Sequence, residues 1–302
     1  MATLFTTPVD AGRRLRELLT AGETLLAPGA YDALSARLVE AAGFPAVYMT
    51  GFGTAASVLG RPDVGLLTMT EMVEQVHRLV DAVDVPVIAD ADTGYGNPLN
   101  VLRTVHEYAQ AGVAALHIED QETPKRCGHI AGKRLIPAAE MVAKVQAAVE
   151  GRGDRDLLII ARTDARAVEG MHAALERARR YRDAGADLLF VEAPESEAEV
   201  EAVAVALEGT PLLYNWAEGG RTPAVPLERL QELGYRIVIF PLSAMLAATR
   251  AVTEVLAGIR ATGSPAAQMD RLVPFGEFLD FIGLPEVRGL EARYAVPGAT
   301  AE

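Results

Sequence analysis

Short apolar runs alternate with longer amphipathic stretches along most of the chain. The runs are rich in β-branched and aliphatic residues, and the stretches between them repeat apolar positions at helical spacing. We predict strands at 24–29, 46–51, 86–92, 114–120, 157–164, 188–193, 212–216 and 237–242. The fragments AAGFPAV, QAGVAAL and DAGADLL repeat one helix-Gly-strand junction. Eight βα units in about 250 residues predict an α/β fold, a closed (β/α)8 barrel of the TIM type.

The alternation stops at ATGSPAAQMD, residues 261–270. Residues 266–294 predict helix, turn and short helix, with aromatic and aliphatic side chains that a solvated tail would not carry. We therefore expect a barrel catalytic domain over 1–262. A C-terminal helical tail over 263–302 is expected to pack on the barrel or on a neighbouring subunit.

Charge and cysteine content narrow the class of protein. The 302 residues carry a formal net charge of −13, which argues against nucleic acid or an anionic membrane as a partner. A single cysteine cannot form an internal disulfide, and the first residues lack the apolar core of a secretory leader. No apolar run has the roughly 18–20 residues needed to span a bilayer. These features predict a cytoplasmic protein.

Most predicted strands end in polar residues that a plain core would not contain. In a βα barrel the reactive groups come from the carboxyl ends of the strands, so these positions are candidates for chemistry. They are Asp90 and Asp92, Glu119 and Asp120, Arg162 and Asp164, Glu192, Asn215, and Ser243 just after the last strand.

Asp90, Asp92 and Glu119 predict a metal site. The first two are two apart on one strand and hence on one face, and Glu119 ends the neighbouring strand. A divalent cation relieves the repulsion among three carboxylates, and all-oxygen ligation favours Mg²⁺ or Mn²⁺. The alternative is that these acids cap helices or pair with Arg162.

Arg162 is the cation that a predicted strand places at this rim. Its planar fork suits a substrate carboxylate. The alternative is an internal ion pair with Glu192 or Asp164. Both can hold at once, because a charge-paired arginine is also a preorganised one.

The only cysteine, Cys127, lies in the loop that follows Glu119. Lys125, Arg126 and His129 surround it in sequence and predict a lowered thiol pKa. This placement fits a proton-transferring thiol on a mobile lid. The alternative is a buried structural cysteine, the commoner case for a lone thiol.

Several of these segments together resemble the isocitrate lyase and phosphoenolpyruvate mutase superfamily. They are DADTGYGN, HIEDQ, KRCGH, ARTDA, NWAEGGRTP and PLSA, and in this order they cover nearly the whole barrel. The chain is most similar to the short bacterial members, which include methylisocitrate lyase, 2,3-dimethylmalate lyase and carboxyphosphonoenolpyruvate mutase.

The resemblance implies a set of roles for residues of this chain. Mg²⁺ would be held directly by Asp90, with Asp92 and Glu119 acting through waters. The closing loop would be formed by Lys125, Cys127, Gly128 and His129. A small anionic carboxylate substrate would be lined by Tyr48, Thr50, Gly51, Phe52, Asp63, Arg162, Glu192, Asn215 and Ser243. The family also implies a homotetramer that exchanges its last barrel helix between paired subunits.

The implied reaction is cleavage of a C–C bond next to a carboxylate, through an enolate or aci-carboxylate that Cys127 protonates. The chain has Ala217 after Trp216, where methylisocitrate lyase carries a threonine, which favours a 2-alkylmalate over a tricarboxylate. Carboxyphosphonoenolpyruvate mutase and oxaloacetate decarboxylase are the alternative activities. A non-catalytic scaffold is disfavoured by the intact set of acids, Arg162 and Cys127.

Overall fold

The structure is a computed structural model that describes residues 10–295. Its strands are β1 Leu25–Ala30, β2 Val47–Met49, β3 Val87–Asp90, β4 Ala115–Glu119, β5 Leu158–Thr163, β6 Leu188–Val191, β7 Leu212–Asn215 and β8 Tyr235–Phe240. Neighbours pair in parallel in chain order, and β8 pairs with β1 to close the barrel. The predicted (β/α)8 barrel is confirmed, and every strand end lies within two residues of its predicted position.

The helices follow the strands as predicted. They are α1 Ala11–Thr20, α2 Ala33–Ala41, α3 Gly51–Leu59, α4 Met69–Val80, α5 Pro98–Gln110, α6 Ala138–Arg152, α7 Ala165–Glu169, α8 Met171–Asp183, α9 Glu197–Ala206, α10 Leu227–Glu232, α11 Ser243–Thr262, α12 Phe275–Phe281 and α13 Leu284–Tyr294, with a 3-10 turn at Ala266–Arg271. Reciprocal capping boxes start α4 at Thr68 and α5 at Asn97. Within residues 10–295, no helix combines the length and the apolarity needed to cross a membrane.

Two apolar layers hold the barrel together. One fills the interior, where Ile88, Ile160 and Phe190 of the strands pack with Leu15 and Leu19 of α1. The other lies between the strands and the surrounding helices. Every residue of β3 to β7 is buried, as expected of parallel strands that are covered on both faces.

The described chain divides into two compact units, residues 10–245 and residues 246–295. The boundary falls within α11, whereas the sequence placed the start of the tail at 263. None of the side chains of α11, α12 and α13 is buried, and several large apolar ones are exposed: Leu246, Val252, Leu256, Phe275 and Tyr294. What covers this extension stays a prediction.

Candidate active site

The register of the barrel brings the polar strand ends together. Glu119 pairs with Arg162 across β4 and β5, and Asp90 pairs with His117 across β3 and β4. These ends and the loop after β4 enclose a central cavity of about 50 Å³. Its lining comprises Phe52, Asp63, Asp90, Lys125, Cys127, Gly128, Arg162, Glu192, Asn215, Pro241 and Leu242.

Arg162 is a buried cation surrounded by carboxylates, and we call Arg162 together with Glu119, Asp164 and Glu192 the charge centre of this cavity. Its Nε lies 3.2 Å from Glu119 Oε2 and donates to Asp164 Oδ2 at 3.0 Å. Its Nη1 lies 3.0 Å from Glu192 Oε2, and the guanidinium sits 5.0 Å from the centroid of the Phe190 ring. The internal ion pairs weighed as the alternative for Arg162 are therefore present. They hold its fork in one orientation beside the cavity.

Glu192 links the strand ends to the loop above them. It accepts hydrogen bonds from Asn215 Nδ2 at 3.3 Å and lies 3.2 Å from His129 Nε2. Burial alone would raise the pKa of Glu192, but Arg162 and His129 outweigh burial and hold that pKa below its ordinary value. Glu192 is thus an anion at neutral pH.

Asp92 does not lie on the strand face where the sequence placed it. β3 ends at Asp90, and Asp92 has a left-handed backbone with φ of 47°. Its carboxylate lies 2.7 Å from Lys125 Nζ, and that ammonium also contacts Asp63 at 2.7 Å. Burial raises the pKa of Asp92 to about 6, although Lys125 opposes this shift.

The positions of the acids suit a metal ion with one direct carboxylate ligand better than an ion chelated by three carboxylates. Within residues 10–295, no three His, Cys, Asp or Glu side chains converge closely enough to chelate an ion. The expected mutual repulsion is relieved by Lys125 at Asp92 and by Arg162 at Glu119. Asp90 faces the cavity, and among the described residues the buried Glu119 Oε1 has no hydrogen-bond partner. Because burial raises the pKa of Glu119 well above its ordinary value, a further nearby cation would favour its ionised form.

The loop after β4 lies closed over the cavity. Gln121 binds the backbone of Arg126 on both sides, donating to its carbonyl at 2.8 Å and accepting from its N–H at 2.9 Å. Cys127 N donates to Asp63 O at 3.2 Å. A Cβ built at Gly128 would lie 2.5 Å from Arg162 Nη2, so only glycine fits this close approach. The loop therefore rests directly on the charge centre.

The Cys127 thiol does not have the lowered pKa that its sequence neighbours predicted. Burial raises the pKa of Cys127 to about 11, and the hydrogen bond with the His129 backbone offsets only part of this. Lys125 is paired with Asp63 and Asp92, and the His129 ring faces Glu192. Two of the three neighbouring cations thus face carboxylates, burial dominates, and the thiol keeps its proton.

Four further predicted residues lie near the cavity in different roles. Tyr48 contacts His117, with 3.0 Å between its hydroxyl and Nε2. Thr50 caps α3 by accepting from Gly53 N at 3.2 Å. A Cβ at Gly51 would lie 2.8 Å from Asp90 Cγ, so Gly51 packs against that carboxylate. Phe52 lines the cavity.

Two predicted features lie elsewhere. Ser243 is exposed, donates to Glu218 and does not line the central cavity. Trp216 packs against Phe240 with ring centroids 6.1 Å apart and lines a separate apolar groove, so it does not narrow the cavity. Ala217 is buried but is also outside the cavity lining. The substrate argument from Trp216 and Ala217 therefore loses its basis.

Two charged residues lie behind the cavity, and the sequence reasoning found one of them. Asp120, which was among the strand-end candidates, accepts hydrogen bonds from Thr163 Oγ1 at 2.7 Å and Tyr181 OH at 2.7 Å, which fixes the end of β5. Lys133, which was overlooked, contacts both the loop and Asp164. The signal for Lys133 is that lysine is rare in this chain.

A larger cavity of about 440 Å³ lies beside the central one. Asp92, Thr93, Asn100, Arg103 and Lys125 are among its lining residues. Most of its polar side chains already have protein partners, as Thr104 donates to Gly94 O and Asn100 Oδ1 accepts from Asn97 N. Lys125 borders both cavities.

Sequence comparison places the chain among enzymes with related chemistry. The sequence model of the phosphoenolpyruvate phosphomutase family matches residues 15–260. The 2,3-dimethylmalate lyase of Eubacterium barkeri is 47% identical over 287 residues, which cover 95% of this chain and 99% of that protein. The 2-methylisocitrate lyase of Aeropyrum pernix is 45% identical over 284 residues, covering 94% and 91% of the two chains.

Solved structures share the whole fold. The crystal structure of a 2,3-dimethylmalate lyase, a member of the PEP mutase/isocitrate lyase superfamily, superposes with a TM-score of 0.90 at 40% identity and covers 97% of this chain and 99% of that one. A phosphonopyruvate hydrolase in complex with oxalate and Mg²⁺ superposes with a TM-score of 0.87 at 32% identity, covering 95% and 100%.

Proposed function

The chain belongs to the phosphoenolpyruvate phosphomutase family, within the isocitrate lyase/PEP mutase superfamily, and on that basis we propose that it is a carbon-carbon lyase. It cleaves a small 2-hydroxy dicarboxylate with apolar substituents, of the 2-alkylmalate type. The products are a 2-oxo acid such as pyruvate and a second carboxylate. The similarity to 2,3-dimethylmalate and 2-methylisocitrate lyases supports this reaction class.

The mixed lining of the central cavity carries the proposal. Arg162 and Asn215 supply donors for carboxylate oxygens, and Asp90 supplies a metal ligand. Phe52, Pro241 and Leu242 supply an apolar wall. Such a wall suits alkyl groups and leaves a third carboxylate without a donor, so a dialkyl dicarboxylate fits better than a tricarboxylate.

Three groups of residues have separate tasks in this reaction. Arg162, oriented by its buried ion pairs, binds a substrate carboxylate. Asp90 would hold Mg²⁺ directly, with Asp92 and Glu119 acting through waters, and the bound ion would supply positive charge for the developing enolate. Cys127 keeps its proton at neutral pH and is placed to deliver it to the departing carbon.

The proton and electron balance is that of a retro-aldol cleavage. The substrate hydroxyl loses its proton, its C–O bond becomes the carbonyl of the 2-oxo acid, and the C–C bond electrons pass to the departing carboxylate fragment. The Cys127 proton completes that fragment, and the hydroxyl proton then restores the thiol by way of the base.

A substrate panel tests the proposed function. Purified protein with Mg²⁺ is given 2,3-dimethylmalate, 2-methylisocitrate, oxaloacetate and carboxyphosphonoenolpyruvate, and pyruvate, propionate, CO₂ and phosphorus-containing products are followed. We expect the highest kcat/KM for 2,3-dimethylmalate, with pyruvate and propionate formed in equal amounts. Turnover of oxaloacetate or of the phosphonate alone would contradict the lyase assignment.

We also propose a homotetramer in which the extension is exchanged between copies. Two features support it: an apolar groove of about 430 Å³ in the barrel unit, lined in part by Trp216, Val238 and Phe240, and an α11 without buried side chains. We expect Leu256→Asp to lower the mass measured by light scattering. Val205→Asp, at an exposed position of α9, is the matched control and should leave the mass unchanged. A tetramer in both variants would contradict the exchange.

A further inference from the structure

Lysine is nearly absent from this chain, and the few lysines share one environment. The sequence has 28 lysines and arginines together, of which only Lys125, Lys133 and Lys144 are lysines. All three are buried, with 4%, 8% and 3% of their surface exposed. Because a lysine is ordinarily an exposed residue, three buried ones indicate positions where a compact ammonium is required.

Lys125 and Lys144 both contact the segment that follows β3. Lys125 pairs with Asp63 and Asp92, as described above. Lys144 Nζ donates to Thr93 O at 3.1 Å. Lys133 differs because it contacts the Gly128 carbonyl.

Lys133 joins the loop to the charge centre. Its Nζ donates to the carbonyl of Gly128 and lies 3.5 Å from Asp164 Oδ1. Asp164 in turn accepts from Arg162 Nε at 3.0 Å and Nη2 at 3.1 Å. An unbroken series of charged contacts therefore runs from the loop backbone to the arginine of the cavity.

The loop cannot stay in this position during substrate entry. The closed cavity of about 50 Å³ is far below the roughly 300 Å³ at the lower end of ligand pockets. Gly128 also rests on Arg162 and Glu192, the groups that face the substrate. Because Asp164 holds Lys133 in place, an opening that moves residues 125–130 separates the Gly128 carbonyl from Lys133, and closing restores that contact.

We propose that Lys133 is a positioning residue that holds the loop 125–130 closed through the Gly128 carbonyl. The compact ammonium of Lys133 contacts one backbone oxygen, of Gly128, and one carboxylate oxygen, of Asp164. The larger, planar guanidinium of an arginine, with five donors, suits this pair of oxygens less well. The contact itself does not depend on the reaction. Its role in catalysis rests on the proposed function, because it keeps the Cys127 thiol over the cavity.

The single cysteine makes the contact measurable without any substrate. The second-order rate of alkylation by iodoacetamide reports access to Cys127 alone, because the chain has no other thiol, and access to this half-buried thiol increases when the loop opens. We expect Lys133→Met to raise this rate about tenfold or more, the effect on an equilibrium of losing one charge-assisted hydrogen bond. Loss of a nearby positive charge would by itself raise the pKa of the thiol and slow the reaction, so acceleration reports loop opening.

Arg134→Met is the matched control. It removes a positive charge one residue away, from an exposed pair with Glu122 at 2.8 Å, and should alter the alkylation rate less than twofold. Melting temperatures of both variants exclude general loosening. If Lys133→Met is insoluble, Lys133→Gln replaces it, with acceleration again expected. An unchanged alkylation rate in the folded Lys133 variant overturns the proposal.

The kinetic readout separates this inference from the proposed function. With 2,3-dimethylmalate, Lys133→Met should lower kcat more than it changes KM, because a loosely held thiol is less often in place. If the parent protein cleaves no substrate of the panel while Lys133→Met still accelerates alkylation, the proposed function is wrong and the role of Lys133 in holding the loop is still supported.

Discussion

The two neighbouring cavities differ in size and in the chemical groups that line them. The larger, of about 440 Å³, is lined by side chains that mostly bind one another or the backbone. The smaller, of about 50 Å³, collects an arginine, a metal-competent carboxylate, a protonated thiol and an apolar wall. Chemistry is therefore concentrated where the space is smallest. The reason is that the loop after β4 lies closed on the site.

Lys125 forms part of the wall between these cavities. Its ammonium lies 2.7 Å from both Asp63 and Asp92, and the three groups are buried. Arg162 makes the corresponding contacts on the other side of the central cavity. Two buried cations, Lys125 and Arg162, therefore set the electrostatics of the central cavity.

Replacing Arg162 should have the largest effect. Arg162→Met leaves Glu119, Asp164 and Glu192 buried without their shared cation. Breaking a buried ion pair in this way costs about 3–5 kcal/mol, so the free energy of unfolding should fall by about that amount and lyase activity should be lost. Urea denaturation and pyruvate release measure the two effects.

Arg103 is the matching arginine in the larger cavity. It is exposed and lies 3.6 Å from Glu107, so Arg103→Met should change the free energy of unfolding by less than about 0.5 kcal/mol and leave activity intact. Equal losses in the two variants would mean that the cavities do not differ in the way described.

Removal of the metal should have the next largest effect. Chelation with EDTA is expected to lower kcat about 10³-fold, and added Mg²⁺ should restore it, because a Lewis acid contributes several kcal/mol to such a transition state. Asp90→Asn should abolish Mg²⁺ binding in calorimetry. Asp92→Asn should weaken binding only about 10–100-fold, because the proposed role of that carboxylate is to act through water. Turnover that EDTA does not change would contradict the assignment of a catalytic metal to this site.

Much of the fold could be predicted because its determinants are local. Each strand of a parallel barrel is buried on both faces and reads as a continuous apolar run, and each helix carries its own spacing and end signals. The ends of β1 to β8 could therefore be predicted within two residues. What the C-terminal extension packs against depends on long-range contacts, which local patterns do not specify.

The candidate site was less predictable because it depends on register and on turns. The pairing of Glu119 with Arg162 follows from the β4–β5 register, which no local pattern specifies. The left-handed Asp92 faces Lys125, although period-two alternation placed it beside Asp90. The thiol pKa also depended on burial and on which cations were already paired.

Substitution of the thiol should have an intermediate effect. Cys127→Ser is expected to lower kcat about 10²-fold or more, because a serine hydroxyl is a far weaker acid than a thiol. A substitution of this kind leaves the shape of the cavity nearly unchanged, so KM should change little. A variant that turns over as fast as the parent would exclude Cys127 as the proton donor.

The pH dependence follows from the raised pKa of Cys127. A proton donor is competent while protonated, so its contribution should persist through neutral pH and fall only as pH rises toward about 11. Thiolate absorbance near 240 nm should increase toward that pH in the native protein, and near the ordinary value of about 8.5 in the unfolded chain. A thiolate already formed at pH 7 would contradict this, and Cys127→Ser supplies the baseline.

Changing the apolar wall should have the smallest effect and concerns the substrate alone. Leu242→Ser should lower kcat/KM for 2,3-dimethylmalate about tenfold, mainly through KM, because one or two lost apolar contacts are worth only about 1–3 kcal/mol. The kcat/KM for unsubstituted malate, which has no alkyl groups to contact this wall, should fall less. Leu66→Ser is the control, since Leu66 is 55% exposed and lines neither cavity. Equal losses for both substrates would show that Leu242 shapes the site generally and does not select the alkyl groups.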